Sequence, residues 1–300
     1  MSEAPQDESR AGIIYSAAAY TIWGIMPIYW RLLGDVPSFQ ITVQRVVWSA
    51  VFVAAVTAFR GNLGRVLAIM RTPSTLGTLA ITSMLISGNW AIYIYCVETN
   101  QLVESSLGYY MTPLVSFALG FVFFREHISK LRLFCIGLAS VALILQLWSL
   151  GHFPWIAPAL AISFGIYGYL RKRAPVAALD GLLVETLLLF PFALGFVLWW
   201  QAQGVGAFSL DTPLKDLLLI GAGPTTAIPL AMFAAGARRV SMTTLGFLQY
   251  LAPTITLLMA VFGFHEAFTQ IDLIAFGFIW TALVIVGLEG RFSKARTAIF

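Results

Sequence analysis

Charge is scarce in this sequence: only 11% of the 300 residues are Asp, Glu, Lys or Arg, whereas a soluble globular protein carries roughly 25%. That shortage leaves too little polar surface for a water-soluble domain. Cysteine is scarcer still. The two residues, Cys96 and Cys135, both lie in apolar stretches, and no CxxC occurs. A disulfide framework is thereby excluded, and each thiol reads as a small hydrophobe. The three histidines, at 127, 152 and 265, lack metal-ligand spacing. HExxH and GxSxG are absent, and GAGPTT (221–226) has no phosphate-binding lysine. The chain is therefore expected to be no enzyme, with no metal and no cofactor. With no soluble ATPase domain, any pumping must draw on a gradient. Alternating apolar and polar strands are missing, which argues against an outer-membrane barrel. The first ten residues hold Glu3, Asp7 and Glu8 against Arg10. A cleavable signal has a basic start, so the first apolar stretch is expected to remain as a span.

What is present is hydrophobic residues, 59% of the chain. They form ten stretches at about 12–30, 39–59, 76–96, 105–124, 132–149, 154–170, 181–200, 215–235, 243–263 and 271–289. Each approaches the 20 or so apolar residues that a helix needs to cross a bilayer. The expectation is an all-α polytopic membrane protein with ten transmembrane helices and no separate soluble domain. Fifteen of the eighteen Lys and Arg residues fall in one alternate set of connections: the N-terminus, 60–75, 125–132, 171–180, 236–242 and the C-terminus. The other set holds only Arg31 and Lys215. Positive charge stays inside, so both termini are expected in the cytoplasm. The basic excess is topogenic, which removes nucleic acid as a partner and leaves the lipid bilayer.

The halves match at an offset of 140. Pro113 falls on Pro253, Glu126 on Glu266, Tyr110 on Tyr250, and Tyr29-x-Arg31 on Tyr169-x-Arg171. Five spans is an odd number, so the second half must be inverted relative to the first. The expected organisation is a 5+5 inverted-topology repeat. A tail over 1–11 precedes one repeat over 12–149, and a second repeat over 150–289 precedes a tail over 290–300. Inverted repeats of this kind mark secondary transporters, with the substrate site near the midplane.

Two lone charges stand inside spans at equivalent positions, Arg45 and Glu185. Insertion of a charge at a helix centre costs roughly 2.5–3.5 kcal/mol, so such residues usually face a cavity or a partner. Snorkelling to headgroups is the plain alternative for Arg45, and a salt bridge or cap for Glu185. Asn89 and Tyr93, four apart, share a helix face. Tyr109 and Tyr110 precede Pro113, and Gln249 and Tyr250 precede Pro253. With Trp23 and Tyr167 these form the candidate substrate cavity, for which helix-to-helix hydrogen bonding is the alternative. Glu185 is the candidate proton or coupling site. Glu126 and Glu266 read as interfacial caps.

The stretches WGIMPIYWRLL (23–33), QRVVWS (44–49), NWAIYIYCVETNQLVESSLGYYMTPL (89–114), SFGIYGYLRK (163–172), GLLVETLLLFPFAL (181–194) and TTAIPLAMFAAGARRVSMTTLGFLQYLAP (225–253) resemble the RarD family. That family is the chloramphenicol-sensitive protein branch of the drug/metabolite transporter superfamily, with EamA-like repeats. Gln44 and Thr112 depart from the pattern, which has His and Asn there. The resemblance implies a ten-helix, multi-pass protein of the bacterial inner membrane with a central cavity. The leading expectation is a secondary transporter, an exporter of small amphipathic metabolites or drug-like molecules. In similar transporters the first, third, fourth, sixth, eighth and ninth helices line that cavity. A proton or a counter-substrate is the coupling partner to look for. Substrate identity, direction, coupling ion and oligomeric state stay open; a passive channel is the alternative, followed by a membrane-embedded enzyme or a structural subunit.

Overall fold

The computed structural model describes residues 6–98, 102–150, 155–209, 211–263 and 270–297. Glu266, His152 and His265 lie outside them. The described residues form α1 (Gln6–Arg31), α2 (Ser38–Phe59), α3 (Leu63–Met70), α4 (Pro73–Glu98), α5 (Leu102–Phe124), α6 (Lys130–Leu150), α7 (Ile156–Arg173), α8 (Ala178–Ala202), α9 (Pro213–Ala237), α10 (Met242–Gln249), α11 (Leu251–Leu258), a π-helical turn (Met259–Gly263) and α12 (Gln270–Thr297). No strand occurs among them. Each of the ten apolar stretches falls largely on helix.

Seven helical segments among the described residues are long and apolar enough to cross a membrane: the main parts of α1, α2, α5, α6, α8 and α9, and Met242–Gly263. The remaining long helices are α4, α7 and α12. α4 is dense in Ser, Thr, Gly and Asn. α7 has 18 residues and ends in Arg171, Lys172 and Arg173.

α3 lies in a segment read from sequence as a connection. It buries Val66 and exposes Leu63, Leu67 and Met70. An eight-residue helix is too short to cross a bilayer at 1.5 Å per residue. It packs instead against α4 and α8.

Contacts between connections define two ends. At one, here called upper, Gln40 donates to the Val205 carbonyl at 2.9 Å and Lys215 pairs with Asp35 at 3.1 Å. At the other, lower end, Lys172 donates to the carbonyls of Ala237 and Val240, and Arg132 pairs with Glu289 at 2.7 Å. α1 packs on α9, α10 and α11, whereas α7 packs on α4 and α5. α2 meets α8 and α9, α4 meets α8, α5 meets α10, and α6 meets α12.

Close approach depends on glycine at the α2–α9 seam. A Cβ on Gly223 would lie 2.4 Å from the Trp48 carbonyl carbon. The contact lets Ser49 donate to the Gly223 carbonyl at 3.1 Å. Pro253 breaks the ninth apolar stretch. It has no N–H to offer the carbonyl of Gln249, and the chain turns between α10 and α11 at Tyr250, whose N–H bonds the Phe247 carbonyl at 3.3 Å.

Candidate functional site

Arg45 lies seven residues inside α2, about 10 Å from its upper end. Its guanidinium stands over the rings of Trp30 and Trp90, each centroid 4.8 Å away. Its Nε donates to Thr226 Oγ1 at 2.9 Å. The side chain thus faces the bundle, toward α1, α4 and α9. Tyr93 and Tyr109 lie within electrostatic range of it, and their rings are 6.3 Å apart. Tyr109 touches this group while remaining 48% exposed. Four helices, α1, α2, α4 and α5, therefore bring one cation and four aromatic rings together, and α9 adds Thr226.

Glu185 occupies the equivalent place in α8, seven residues from its lower end. Its surroundings differ in kind. Thr82 donates to Glu185 Oε1 at 2.5 Å, and Arg171 Nε stands 3.7 Å from the same oxygen. Ser83 donates to the Glu185 backbone carbonyl at 3.0 Å. Both charged side chains are almost wholly buried, Arg171 at 1% and Glu185 at 3% exposure. Arg171 Nη2 donates to the Ala178 carbonyl at 2.8 Å, while Arg171 Nη1 and Glu185 Oε2 have no hydrogen-bond partner. The pair is sealed but loosely matched.

Between these two charges lies an aromatic layer. Trp23 packs against Tyr20, Phe164 and Phe233 at 5.5, 5.9 and 5.8 Å. Tyr167 stacks on Phe233 at 5.9 Å. Both Tyr167 and Phe233 are fully buried. The lower end is closed further by Arg238, which donates to the Val176 carbonyl.

The sequence-predicted residues therefore divide. Arg45, Tyr93 and Tyr109 come together. Trp23 and Tyr167 enter the aromatic layer. Asn89 donates to the Leu160 carbonyl and to Ser163 Oγ, each at 2.9 Å, tying α4 to α7. Gln249 accepts from Ser116 at 3.1 Å, tying α10 to α5. Tyr110 and Tyr250 belong to a separate core with α6 and α12: Tyr110 packs on Phe276 at 5.3 Å, and the Tyr250 hydroxyl reaches the Tyr110 carbonyl at 3.5 Å. The reason is rotation. Neighbours on a helix point about 100° apart, so when Tyr109 faces Tyr93, Tyr110 must face elsewhere.

Sequence reasoning missed Trp30, which stands at the end of an apolar stretch, where aromatic residues usually anchor at the membrane interface. It also missed Trp90, Thr226 and Phe233, which sit in runs without distinguishing pattern. Arg171 was counted with the surface charges, because Arg-Lys-Arg at a helix end looks solvated. Glu126, expected as a cap, accepts from the N–H groups of Met242 and Thr243 at 2.6 and 2.9 Å and so caps α10. Among the described residues no cluster of His, Cys, Asp and Glu could hold a metal ion.

Helices of this length and apolarity define a polytopic membrane protein, and several of its relatives are named transporters. An uncharacterized transporter of Pseudomonas aeruginosa is 41% identical over 96% of each chain. The transporter YojE of Bacillus subtilis, likewise uncharacterized, is 40% identical over 93% of this chain and 94% of its own. The protein RarD of Escherichia coli is 35% identical over 97% and 98%. The chain belongs to the RarD family. No family model matches it. A crystal structure 17% identical in sequence aligns with a TM-score of 0.71 over 95% of this chain and 99% of its own, which shows the fold alone.

Proposed function

We propose that the chain is a secondary transporter, and specifically an exporter, of small amphipathic metabolites or drug-like molecules in the bacterial inner membrane. The observation that carries this reading is the asymmetry of the bundle: a partly exposed Arg45 beside a half-exposed Tyr109 at the upper end, and an aromatic layer with a buried Arg171–Glu185 pair below it. A carrier must close one side while the other is open, and this arrangement suits a closed cytoplasmic side.

The architecture proposed with it has ten spans in two inverted five-helix repeats, 12–149 and 150–289, with both termini cytoplasmic. The packing supports it. Exchanging α1 with α7, α2 with α8, α4 with α9, α5 with α10 and α11, and α6 with α12 returns the same principal helix contacts. The charge split between alternate connections gives the orientation. Alternate access then arises by rocking of one repeat against the other. Glu185 is the proposed coupling residue. Neutralising it, by a proton or a counter-substrate's cation, weakens its hold on Arg171 and favours opening below.

The test is flux. Proteoliposomes of the full chain, preloaded with labelled aromatic and aliphatic amino acids and with chloramphenicol, should release at least one of these saturably and show counterflow. Flux without saturation or counterflow makes the protein a channel. Loss of every compound at the rate of protein-free vesicles sinks the reading.

A further inference from the structure

We propose that Arg45 is the recognition site for the carboxylate of an aromatic monocarboxylate. The inference rests on the transporter reading and names its substrate class. A guanidinium offers two faces and two in-plane edges. Here Trp30 and Trp90 each stand over the guanidinium at 4.8 Å, and Nε is taken by Thr226 Oγ1 at 2.9 Å. What remains is the edge formed by the two terminal nitrogens. Arg45 is only partly buried, and none of its nitrogens is a sealed, unpartnered donor. That edge is therefore left uncovered by protein.

Among the described residues no carboxylate lies within ion-pairing distance of Arg45, in contrast to Arg171, Arg132 and Lys215. A cation held this deep in a protein, with no protein anion, fits one that arrives from outside. The covered faces restrict approach to the guanidinium plane. A planar carboxylate meets such an edge with two parallel hydrogen bonds. The groups beside Arg45 are the neutral phenols of Tyr93 and Tyr109, and among the described residues no second cation acts on it. One positive charge balances one negative charge, so a monoanion fits better than a phosphate dianion.

The body of the ligand follows from the remaining walls. The rings of Tyr93 and Tyr109 are 6.3 Å apart and tilted by 57°. Tyr109 keeps half of its surface uncovered. Trp30 and Trp90 add two indoles. An aromatic group beside the carboxylate would lie among these rings, whereas a chain of hydroxyls would find few partners.

The experiment uses purified full-length protein in detergent and two pairs of probes: phenylacetate against phenylacetamide, and indole-3-acetate against indole-3-acetamide. Binding is read by calorimetry. The acid of at least one pair should bind at least tenfold more tightly than its amide. Arg45→Gln should lower acid affinity at least tenfold and leave the amide's weak binding unchanged. Arg45→Lys should restore less than half of the loss on a logarithmic scale, because an ammonium lacks the planar edge. Thr226→Val, which frees Nε without touching the charge, should weaken acid binding several-fold and guards against a misfolded Arg45 variant. Equal affinity for acid and amide in both pairs, no acid binding at all, or acid binding unchanged in Arg45→Gln overturns the proposal. Counterflow of neutral compounds with no preference for acids leaves the transporter reading standing while this inference falls. Acid binding without any flux does the reverse.

Discussion

Arg171 and Glu185 are each other's main compensation in a region from which water is excluded. Their 3.7 Å separation and unmatched Nη1 and Oε2 atoms mean that the pair recovers only part of its desolvation cost. Removing one partner strands the other as an uncompensated buried charge, which typically costs about 3–5 kcal/mol. Arg171→Met should therefore lower unfolding stability in detergent by roughly 3 kcal/mol. The double variant Arg171→Met, Glu185→Leu should regain most of that loss, since hydrophobic residues of similar volume replace both charges. Denaturant titration followed by tryptophan fluorescence measures both. A double variant as unstable as the single one would show that the pair's contribution lies in geometry rather than in charge balance.

At the scale of the element, helix contacts are set by backbone approach and by caps. The α2–α9 seam admits no Cβ at Gly223, which would sit 2.4 Å from the Trp48 carbonyl carbon. Gly223→Ala must push the helices apart, and overpacking of this kind costs about 1–3 kcal/mol. Gly195 in α8 has nothing within 4 Å of a built Cβ. Gly195→Ala should be neutral or stabilising by up to about 1 kcal/mol, from helix propensity alone. Comparing the two thermal midpoints checks the seam independently of function. The start of α10 relies on another element entirely. Glu126, beyond the end of α5, accepts from the backbone of Met242 and Thr243 and from Thr243 Oγ1. Leaving those donors unpaired costs about 1–3 kcal/mol, so Glu126→Ala should destabilise by that amount. Glu126→Gln, which keeps an acceptor, should cost less. Proteolysis between α9 and α10 reports the loosened start.

For the whole molecule, the proposed orientation and the closed lower end make a joint prediction about access. Single cysteines replacing Arg65, Lys130 and Arg173, in a background where Cys96 and Cys135 are serine, should react with impermeant maleimide only from the cytoplasmic face. One replacing Ala207 should react from outside. Within the bundle, Tyr109→Cys should also react from outside, because Tyr109 is half exposed beside Arg45. Tyr167→Cys should resist reagent from either side, because Tyr167 is fully buried against Phe233. Labelling of Tyr167→Cys from the cytoplasm would mean that the lower end stands open.

Composition and periodicity by themselves determined the class of this protein. Long apolar runs become helices because a bilayer leaves no other partner for backbone N–H and C=O groups. A lone charge within such a run stands out because facing hydrocarbon is costly, which marked Arg45 and Glu185, while only the packing placed Arg45 inside rather than at the headgroups. Family membership was equally legible, from long matching stretches. Orientation around each helix axis was not. Whether Tyr109 or Tyr110 faces Arg45 depends on the rotation of α5, and an apolar helix has no polar stripe to reveal it. Nor could the sequence show that Arg171, one of three consecutive basic residues at a helix end, turns inward to Glu185 while Lys172 beside it reaches Ala237 and Val240. Only the tertiary structure decided these points, because the partners come from helices far apart in sequence. A charge's surroundings are set by which helices pack against it, and packing of apolar surfaces against one another leaves little trace in the order of the residues.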